Sequence, residues 1–253
     1  MRVALERLLE CIDYQDAAPE LFFCGDYVNR GPESRGVVDL LLSLPRTRFC
    51  RGNHDDTLDF LLCGKSFVPN NQAGGVVTTF DHFMKYGLEQ TLLSYGVTQE
   101  TLDVVRRYPT EEAIEDVMKA VPENHRHFYR SLPAVQEQNE FFVAHARWDI
   151  ETAEGSPSFV AQLLRSPRAR HDVIWGRFTA EEINKDKPWT RTGFFGHTPV
   201  TMYRRRGQPM PISGKKIVLL DTAAAVNLEG RLTAWCFEEE RFIQVHRDGE
   251  RAL

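Results

Sequence analysis

Four short segments of the sequence carry metal-type ligands directly after predicted strands. They are GDYVNRG at residues 25–31, RGNHD at 51–55, His145 after Phe141–Ala144, and GHT at 196–198. Loops that follow buried strands are rigid places from which to hold a side chain, and the ends of neighbouring strands can converge on one pocket. The candidate ligands Asp26, Asn53, His145 and His197 offer a carboxylate, an amide oxygen and two imidazoles, a set that suits Mn, Fe or Zn better than Ca or Mg.

Each of these segments also has an ordinary structural interpretation. A lone histidine is most often a core or surface residue, and Gly-Asp is most often a turn. Four such segments, each at the end of a predicted strand, are much harder to explain by chance. The sequence therefore predicts one metal site built from four separate parts of the chain.

The elements before residue 64 predict how the first two segments are positioned. An amphipathic helix over the first dozen residues precedes a short strand at 21–24, a helix around 37–42 and a second strand at 48–50. This order is typical of a βαβ unit, in which loops gather at the carboxyl ends of the strands. The fold class expected is therefore α/β.

The rest of the chain predicts a mainly helical insertion or cap at 64–138 and then mixed or antiparallel strands. Those strands are expected at 141–144, 193–195, 217–220, 232–237 and 242–245. No repeat, low-complexity tract or linker divides the chain, so a single domain over 1–253 is expected.

Composition excludes several classes of protein. The 253 residues have a formal net charge of −5 and are 42% hydrophobic, which is typical of a soluble globular protein. No apolar run approaches the roughly 18 to 20 residues needed to span a bilayer, so no membrane partner is expected. The mild acidity argues against nucleic acid as a partner. Five cysteines without a CxxC pair favour a reducing, cytoplasmic location.

Taken in this order and spacing, GDYVNRG, RGNHD, His145 and GHT resemble the calcineurin-like metallophosphoesterases, specifically the bacterial serine/threonine phosphoprotein phosphatase branch. The resemblance implies a layered α/β/β/α sandwich with mixed sheets. It also implies two divalent metal ions (Mn, Fe or Zn) and attack of a metal-bound hydroxide on a phosphomonoester, with phosphoserine or phosphothreonine as the expected ester. The substrate is then a phosphorylated protein or a small phosphoester.

The family roles fall on matching positions of this chain. By resemblance, Asp26 is the carboxylate that bridges the metals, and Asn53, His145 and His197 complete the shell of the second metal. His54 is the general acid that protonates the leaving oxygen.

Two arginines are the candidate substrate-binding residues. By resemblance, Arg30 binds phosphate oxygens, and the Trp175-Gly176-Arg177 segment makes Arg177 a second phosphate-binding candidate. A planar guanidinium suits phosphate because it can donate two parallel hydrogen bonds. The alternatives are that Arg30 only pairs with a neighbouring carboxylate and that Arg177 is a solvated surface residue.

The chain departs from the family pattern at two places. The first family motif, Gly-Asp-x-His-Gly, whose Asp and His bind the first metal, is absent. Either the sequence is truncated at the front, with the strand that carries this motif missing, or the protein is a degenerate member. One reasonably complete metal shell is expected instead of two, and the 253-residue form is expected to have little phosphatase activity.

The second departure is Asn29, which stands where phosphoprotein phosphatases usually have an aspartate that hydrogen-bonds the catalytic histidine. An amide can orient His54 but supplies no negative charge to stabilise its imidazolium. Relatives that cleave dinucleoside polyphosphates tolerate a non-acidic residue there. Three hypotheses therefore stand: a phosphomonoesterase, a dinucleoside tetraphosphate hydrolase, and a catalytically inactive pseudo-phosphatase that binds phosphorylated ligands through Arg30 and Arg177.

Overall fold

A computed structural model describes residues 1–17, 19–69, 73–148, 161, 164–187, 189–204, 208–249 and 251–252. Helices α1 (Arg2–Cys11) and α2 (Tyr14–Ala17) lead into strand β1 (Leu21–Phe23). Helix α3 (Ser34–Ser43) then connects β1 to β2 (Thr47–Phe49), which lies parallel to β1 with Phe23 opposite Phe49. The βαβ unit predicted for the chain before residue 64 is confirmed.

A five-stranded mixed sheet carries the two later motifs. Its order is β3-β4-β5-β7-β6, and its strands are Val135–Glu137, Phe141–Ala144, Thr192–Phe195, Ile217–Leu219 and Ile212–Ser213 in that order. The central strands β4, β5 and β7 are parallel, whereas β3 and β6 pair antiparallel at the two edges. Ala144 lies opposite Phe195 in this register, so the loops that begin at His145 and Gly196 start side by side.

The connection from β4 to β5 contains helices α10 (Pro167–Trp175) and α11 (Ala180–Asn184). At the end of the chain β8 (Arg231–Cys236), β9 (Arg241–His246) and β10 (Arg251–Ala252) form an antiparallel sheet in the order β10-β9-β8. Helix α1 packs on this sheet through Ala4 and Leu8, which contact Val245.

Strand alternation shows the layers directly. In β4 and β5, Val143 and Phe194 face an apolar layer that also receives Phe22 of β1 and Trp235 of β8. Their neighbours on these strands, such as Phe195, point the other way, toward α10 and α11. Successive residues of a strand face opposite sides of the sheet. The five-stranded sheet therefore packs face to face with the β1-β2 pair and the β10-β9-β8 sheet, with helices outside them, which confirms the α/β/β/α sandwich.

Helices fill most of the segment predicted as an insertion. After α4 (Asn53–Cys63) come α5 (Gly75–Met84), α6 (Leu88–Ser94), α7 (Gln99–Arg107), α8 (Glu111–Met118) and α9 (Glu123–Ser131). They share the largest apolar cluster of the described residues with α3 and α4. The helical part is thus 75–131, and Val135 already belongs to the five-stranded sheet. Within the ranges given above, no helix is long and apolar enough to cross a membrane.

Candidate metal centre and active site

Two glycines allow the loops after β1 and β2 to touch. A Cβ built on Gly25 would lie 2.6 Å from Gly52 N, and one on Gly52 would overlap the Asp26 carboxylate. The backbone at Gly25 has φ +96°, which glycine adopts without strain. The Gly-Asp and Gly-Asn pairs of the first two motifs therefore allow Asp26 and Asn53 to approach each other.

Asp55 ties these two loops together. Its buried carboxylate accepts hydrogen bonds from the backbone N–H groups of Asp26 (2.8 Å), Tyr27 (3.0 Å) and Gly52 (2.8 Å). The bond from Gly52 also caps the start of α4. Burial, together with the neighbouring Asp26 charge, raises the pKa of Asp55 to about 7, while the three N–H donors oppose that shift. Asp55 thus fixes the position of Asp26 relative to the start of α4.

The four predicted ligands converge on one point. His145 Nε2 lies 3.0 Å from Asn53 Oδ1 and 3.2 Å from His197 Nδ1, and His197 Nδ1 lies 2.9 Å from Asn53 Oδ1. Asp26 Oδ2 is 3.5 Å from His145 Nε2. Ligands about 2.1 Å from one metal ion are separated by roughly 3.0 to 3.4 Å when their bond angles run from 90° to tetrahedral. The observed separations match this geometry.

Backbone carbonyls set the tautomers of the two imidazoles. His145 Nδ1 lies 2.7 Å from the Cys24 carbonyl oxygen, and His197 Nε2 lies 3.2 Å from that of Trp175. A nitrogen facing a carbonyl oxygen must carry the proton, so the other nitrogen of each ring is a bare acceptor. His145 Nε2, His197 Nδ1 and Asn53 Oδ1 thus turn lone pairs toward one another. Such an arrangement is stabilised by a cation, and the residues fit a metal ion.

The electrostatics of the cluster agree with a cation site. Burial lowers the pKa of His197 to about 3, and the neighbouring His145 adds to the shift, so the ring is neutral and able to bind a metal. Burial raises the pKa of Asp26, but His145, His54 and His197 outweigh it, and the net shift is downward. Asp26 is therefore ionised, and a carboxylate with two imidazole nitrogens and an amide oxygen is a transition-metal ligand set.

His54 is held beside this cluster by three contacts. Its backbone N–H donates to Asp26 Oδ1 (3.0 Å), which leaves Oδ2 to the metal site. Its Nδ1 lies 2.7 Å from Asn29 Nδ2, and its ring packs on Phe83 of α5 with centroids 5.3 Å apart. Burial lowers the pKa of His54; the Asp26 carboxylate opposes that shift and the positive charge of Arg30 adds to it.

The two arginines lie on the exposed side of the cluster. Arg30 has φ +61°, a left-handed conformation that is strained for arginine, and its charge acts on His54. Arg177 follows α10, places Nη1 3.2 Å from Met202 Sδ, and its charge acts on His197. Both arginines are exposed, and the charge of each acts on one imidazole of the site.

Sequence reasoning missed several residues that hold the site. Asp55 belonged to a recognised motif, and its position three residues after Gly52 is the signal of a capping box. Arg147, whose role the sequence left open, pairs with Asp172 (3.3 Å) and Glu182 (2.7 Å) and so holds α10 and α11, between which Arg177 lies. Thr91 of α6 reaches Asn29 from a segment without a motif, and no sequence pattern marked it.

Comparisons with known proteins give relatives over parts of the chain. A symmetrical bis(5'-nucleosyl)-tetraphosphatase of Legionella pneumophila (strain Corby) is 48% identical over 61 residues, 24% of this chain and 22% of that protein. The enzyme with the same name from Methylococcus capsulatus is 40% identical over 74 residues, 29% of this chain and 27% of that protein. The chain thus aligns with about a quarter of the length of these curated relatives.

Among solved structures, a metallophosphoesterase from Sphaerobacter thermophilus superposes with a TM-score of 0.48 at 18% identity, covering 98% of this chain and 84% of that one. The family model described as calcineurin-like phosphoesterase matches residues 2–201, most of the chain. The protein therefore belongs to the calcineurin-like phosphoesterase family, whose members are metal-dependent hydrolases.

Proposed function

We propose that this protein hydrolyses phosphate esters and anhydrides with a bound transition metal, and that dinucleoside polyphosphates are its first substrate class. The observation that carries the reaction type is the convergence of Asp26, Asn53, His145 and His197 on one point, with His54 bonded to the same Asp26 carboxylate. These four side chains would hold the metal ion.

Each residue then has a defined part in hydrolysis. A metal ion at this site supplies Lewis-acid polarisation of a phosphate oxygen and lowers the pKa of water. Arg30 and Arg177 bind the non-bridging phosphate oxygens and neutralise their charge. His54 is the candidate proton donor to the oxygen of the leaving group, because its backbone N–H is bonded to the metal-ligand carboxylate of Asp26 and the charge of the exposed Arg30 acts on its ring.

Three observations support dinucleoside polyphosphates as the substrate class. Both relatives reported above carry the name of a bis(5'-nucleosyl)-tetraphosphatase. Asn29 places a neutral amide, not a carboxylate, behind His54. The third is an aromatic pair on α5 and the residues that follow it, formed by His82 and Tyr86, whose ring centroids are 4.9 Å apart and whose planes are inclined at 48°.

The position of Tyr86 supports a role in binding a nucleobase. Phe83, one turn earlier, packs on His54, and Gly87, the next residue, lies so close to Arg30 that a Cβ would overlap Arg30 N. The Tyr86 ring is 46% exposed at this edge of the site. Stacking of a base on an exposed aromatic ring contributes about 1–3 kcal/mol.

Phosphoserine and phosphothreonine proteins are the second candidate class. The specific observation in their favour is the GDYVNRG, RGNHD and GHT set, which resembles the phosphoprotein phosphatase branch. A pseudo-phosphatase would keep affinity for phosphate ligands through Arg30 and Arg177 and show no turnover.

The reaction type is tested by activity and metal binding together. The purified chain is assayed with Mn²⁺, Zn²⁺ or Fe²⁺ on diadenosine tetraphosphate, a phosphopeptide and p-nitrophenyl phosphate. His145→Ala should abolish both turnover and stabilisation by metal, which is about 2.7 kcal/mol at 100 times Kd. The matched control is His127→Ala, an exposed histidine of α9. If metal stabilised His145→Ala as much as it stabilises wild type, the proposed metal site would be wrong.

A version preceded by a Gly-Asp-x-His-Gly segment is assayed in parallel. It tests the expectation that the 253-residue chain turns over slowly. Equal, robust turnover in both versions would show that expectation to be wrong. Binding of phosphate ligands without turnover in either version would favour the pseudo-phosphatase.

The substrate class is tested at the rim. Tyr86→Ala should raise KM for diadenosine tetraphosphate about tenfold, as loss of about 1.4 kcal/mol of stacking implies, and leave KM for p-nitrophenyl phosphate unchanged. Tyr108→Ala, which removes another exposed tyrosine, serves as the control. If Tyr86→Ala changed KM equally for diadenosine tetraphosphate and for p-nitrophenyl phosphate, Tyr86 would not bind a nucleobase. Turnover of the phosphopeptide that is faster than turnover of diadenosine tetraphosphate would favour phosphoserine and phosphothreonine proteins as the substrate class.

A further inference from the structure

Helix α6 of the inserted helices is docked on the loop that carries Asn29. Thr91 Oγ1 lies 2.9 Å from Asn29 N and 2.8 Å from Asn29 Oδ1, and Ser94 Oγ accepts from Arg35 N at 3.1 Å. Gly87, just before the first residue of α6, lies so close to Arg30 that a Cβ built on it would be 2.4 Å from Arg30 N. Thr91 is fully buried. The contact between α6 and this loop is therefore made by polar groups with defined partners.

The donors and acceptors around Thr91 favour one orientation of the Asn29 amide. Asn29 N–H must donate, so Thr91 Oγ1 is its acceptor. If Thr91 O–H donates to Asn29 Oδ1, the hydroxyl of Ser34, 3.0 Å from Thr91 Oγ1, can donate to Thr91 in turn, and every hydroxyl has an acceptor. Among the described residues, Ser34 Oγ otherwise contacts only a donor, Asn29 N at 3.3 Å.

The flipped amide is the worse arrangement. Asn29 Nδ2 would then donate to Thr91, and the Thr91 hydroxyl would have to donate to Ser34 Oγ. The Ser34 hydroxyl, on a residue only 4% exposed, would have no acceptor among the residues that the structure describes. A buried donor without a partner is costly, so the flipped amide should be populated roughly tenfold less, or lower still, than the other orientation.

We propose that Thr91 is a positioning residue for His54, and that through Asn29 it selects the imidazole tautomer with its proton on Nε2. Thr91 fixes Asn29 Oδ1 as an acceptor, so Asn29 Nδ2 faces His54 Nδ1 and donates to it over 2.7 Å. His54 Nδ1 is then the bare nitrogen, and the proton of the neutral ring lies on Nε2.

The consequence for catalysis rests on the proposed function. With an aspartate in place of Asn29, Nδ1 would keep the proton, because a carboxylate only accepts. In this chain the neutral ring is a hydrogen-bond donor at Nε2, the nitrogen that does not face Asn29, and the oxygen of the leaving group can accept that hydrogen bond. The inserted helix α6 thus decides which nitrogen of the catalytic histidine carries the proton.

The test reads the tautomer directly in the metal-free chain and needs no activity. The ¹⁵N shifts of both ring nitrogens of His54 are measured at pH 8 in histidine-labelled protein, with His54→Gln for assignment. Wild type, Thr91→Ser and Ser34→Ala should all show a protonated Nε2. Thr91→Val, which keeps the shape and removes the hydroxyl, should show a mixture of tautomers, and Asn29→Asp should show a protonated Nδ1.

Kinetics supply a second readout if the chain is active. Thr91→Val should lower kcat about tenfold with KM changed less than about threefold, and Thr91→Ser should restore kcat. A protonated Nδ1 in wild type, or an unchanged tautomer in folded Thr91→Val, overturns the proposal. Absence of turnover in both the 253-residue chain and the version preceded by Gly-Asp-x-His-Gly, with the expected tautomers, refutes the proposed function and leaves the role of Thr91 in place.

Discussion

Arg51, the first residue of RGNHD, is expected to contribute more to stability than any exposed arginine of the chain. Its guanidinium is buried and pairs with Asp56 (3.1 Å) and Asp59 (3.0 Å), whose carboxylates are buried as well. It also donates to the carbonyl oxygens of Leu132 and Tyr129, at the end of α9. Arg51→Met therefore leaves two buried carboxylates without a cation and detaches the end of α9.

The magnitude follows from that geometry. Removing one partner of a buried ion pair costs about 3–5 kcal/mol, a large part of the roughly 5–15 kcal/mol by which a domain is stable. With a urea m-value near 3 kcal/mol/M, the unfolding midpoint should fall by about 1 to 1.7 M. The two orphaned carboxylates favour protonation in the folded variant, so the folded state binds more protons than the unfolded chain. The loss relative to wild type should therefore grow as pH rises from 5 to 8.

The assay is urea unfolding of both proteins at pH 5 and pH 8. Arg48→Met is the matched control, because Arg48 lies three residues earlier and its pair with Glu20 (2.9 Å) is largely exposed. That control should cost less than about 1 kcal/mol. If Arg51→Met were no more destabilising than Arg48→Met, or equally destabilising at both pH values, the account of Arg51 as a buried structural cation would be wrong.

Three further predictions concern other parts of the molecule. Burial lowers the pKa of His125, so below about pH 6.5 the unfolded chain binds more protons than the folded protein does, and the free energy of unfolding falls. His125→Gln removes this group, so the urea midpoint should fall less between pH 7.5 and pH 5.5 than it does in wild type. A Cβ on Gly52 overlaps the Asp26 carboxylate, so Gly52→Ala should weaken metal binding at least tenfold in a chelator competition, and unchanged affinity would contradict the close approach. Arg147→Met removes the ion pairs to α10 and α11 and should cost about 2 kcal/mol in thermal unfolding, and a loss within error would show that these pairs do not hold the helices.

The sequence predicted the parts of the site that lie next to strands. Asp26 and Asn53 follow the parallel pair β1 and β2, and His145 and His197 follow the parallel pair β4 and β5. Parallel pairing brings the two ends of each pair together, and the packing of the sheets on each other brings the two pairs to one point. The layered fold was implied by the family resemblance, and the structure agrees with it because strands 141–144 and 192–195 are buried on both faces. The strand ends predicted from sequence lie within one or two residues of the observed ones.

The parts that could not be predicted depend on contacts between segments far apart in sequence. Thr91 reaches Asn29 across 62 positions, and Arg51 reaches Leu132 across 81. Neither contact leaves a local pattern, because a threonine inside an amphipathic helix is ordinary and an arginine in a motif is assigned to the motif's chemistry. The tautomer of His54 likewise depends on the orientation of one amide, which only its neighbours determine.

The helices between residues 75 and 131 are therefore part of the structure that shapes the site. Asp26, Asn29 and Arg30 all have positive φ angles, and a left-handed conformation costs of order 1–3 kcal/mol where the residue is not glycine. Such a loop keeps its shape only if other groups hold it. Asp55 holds Asp26, and α6 holds Asn29 and Arg30 through Thr91 and Gly87. A protein with the same motifs but other residues in these helices would have to supply these contacts in a different way. On the proposal made above for Thr91, differences in α6 change which nitrogen of His54 carries the proton without changing a single metal ligand.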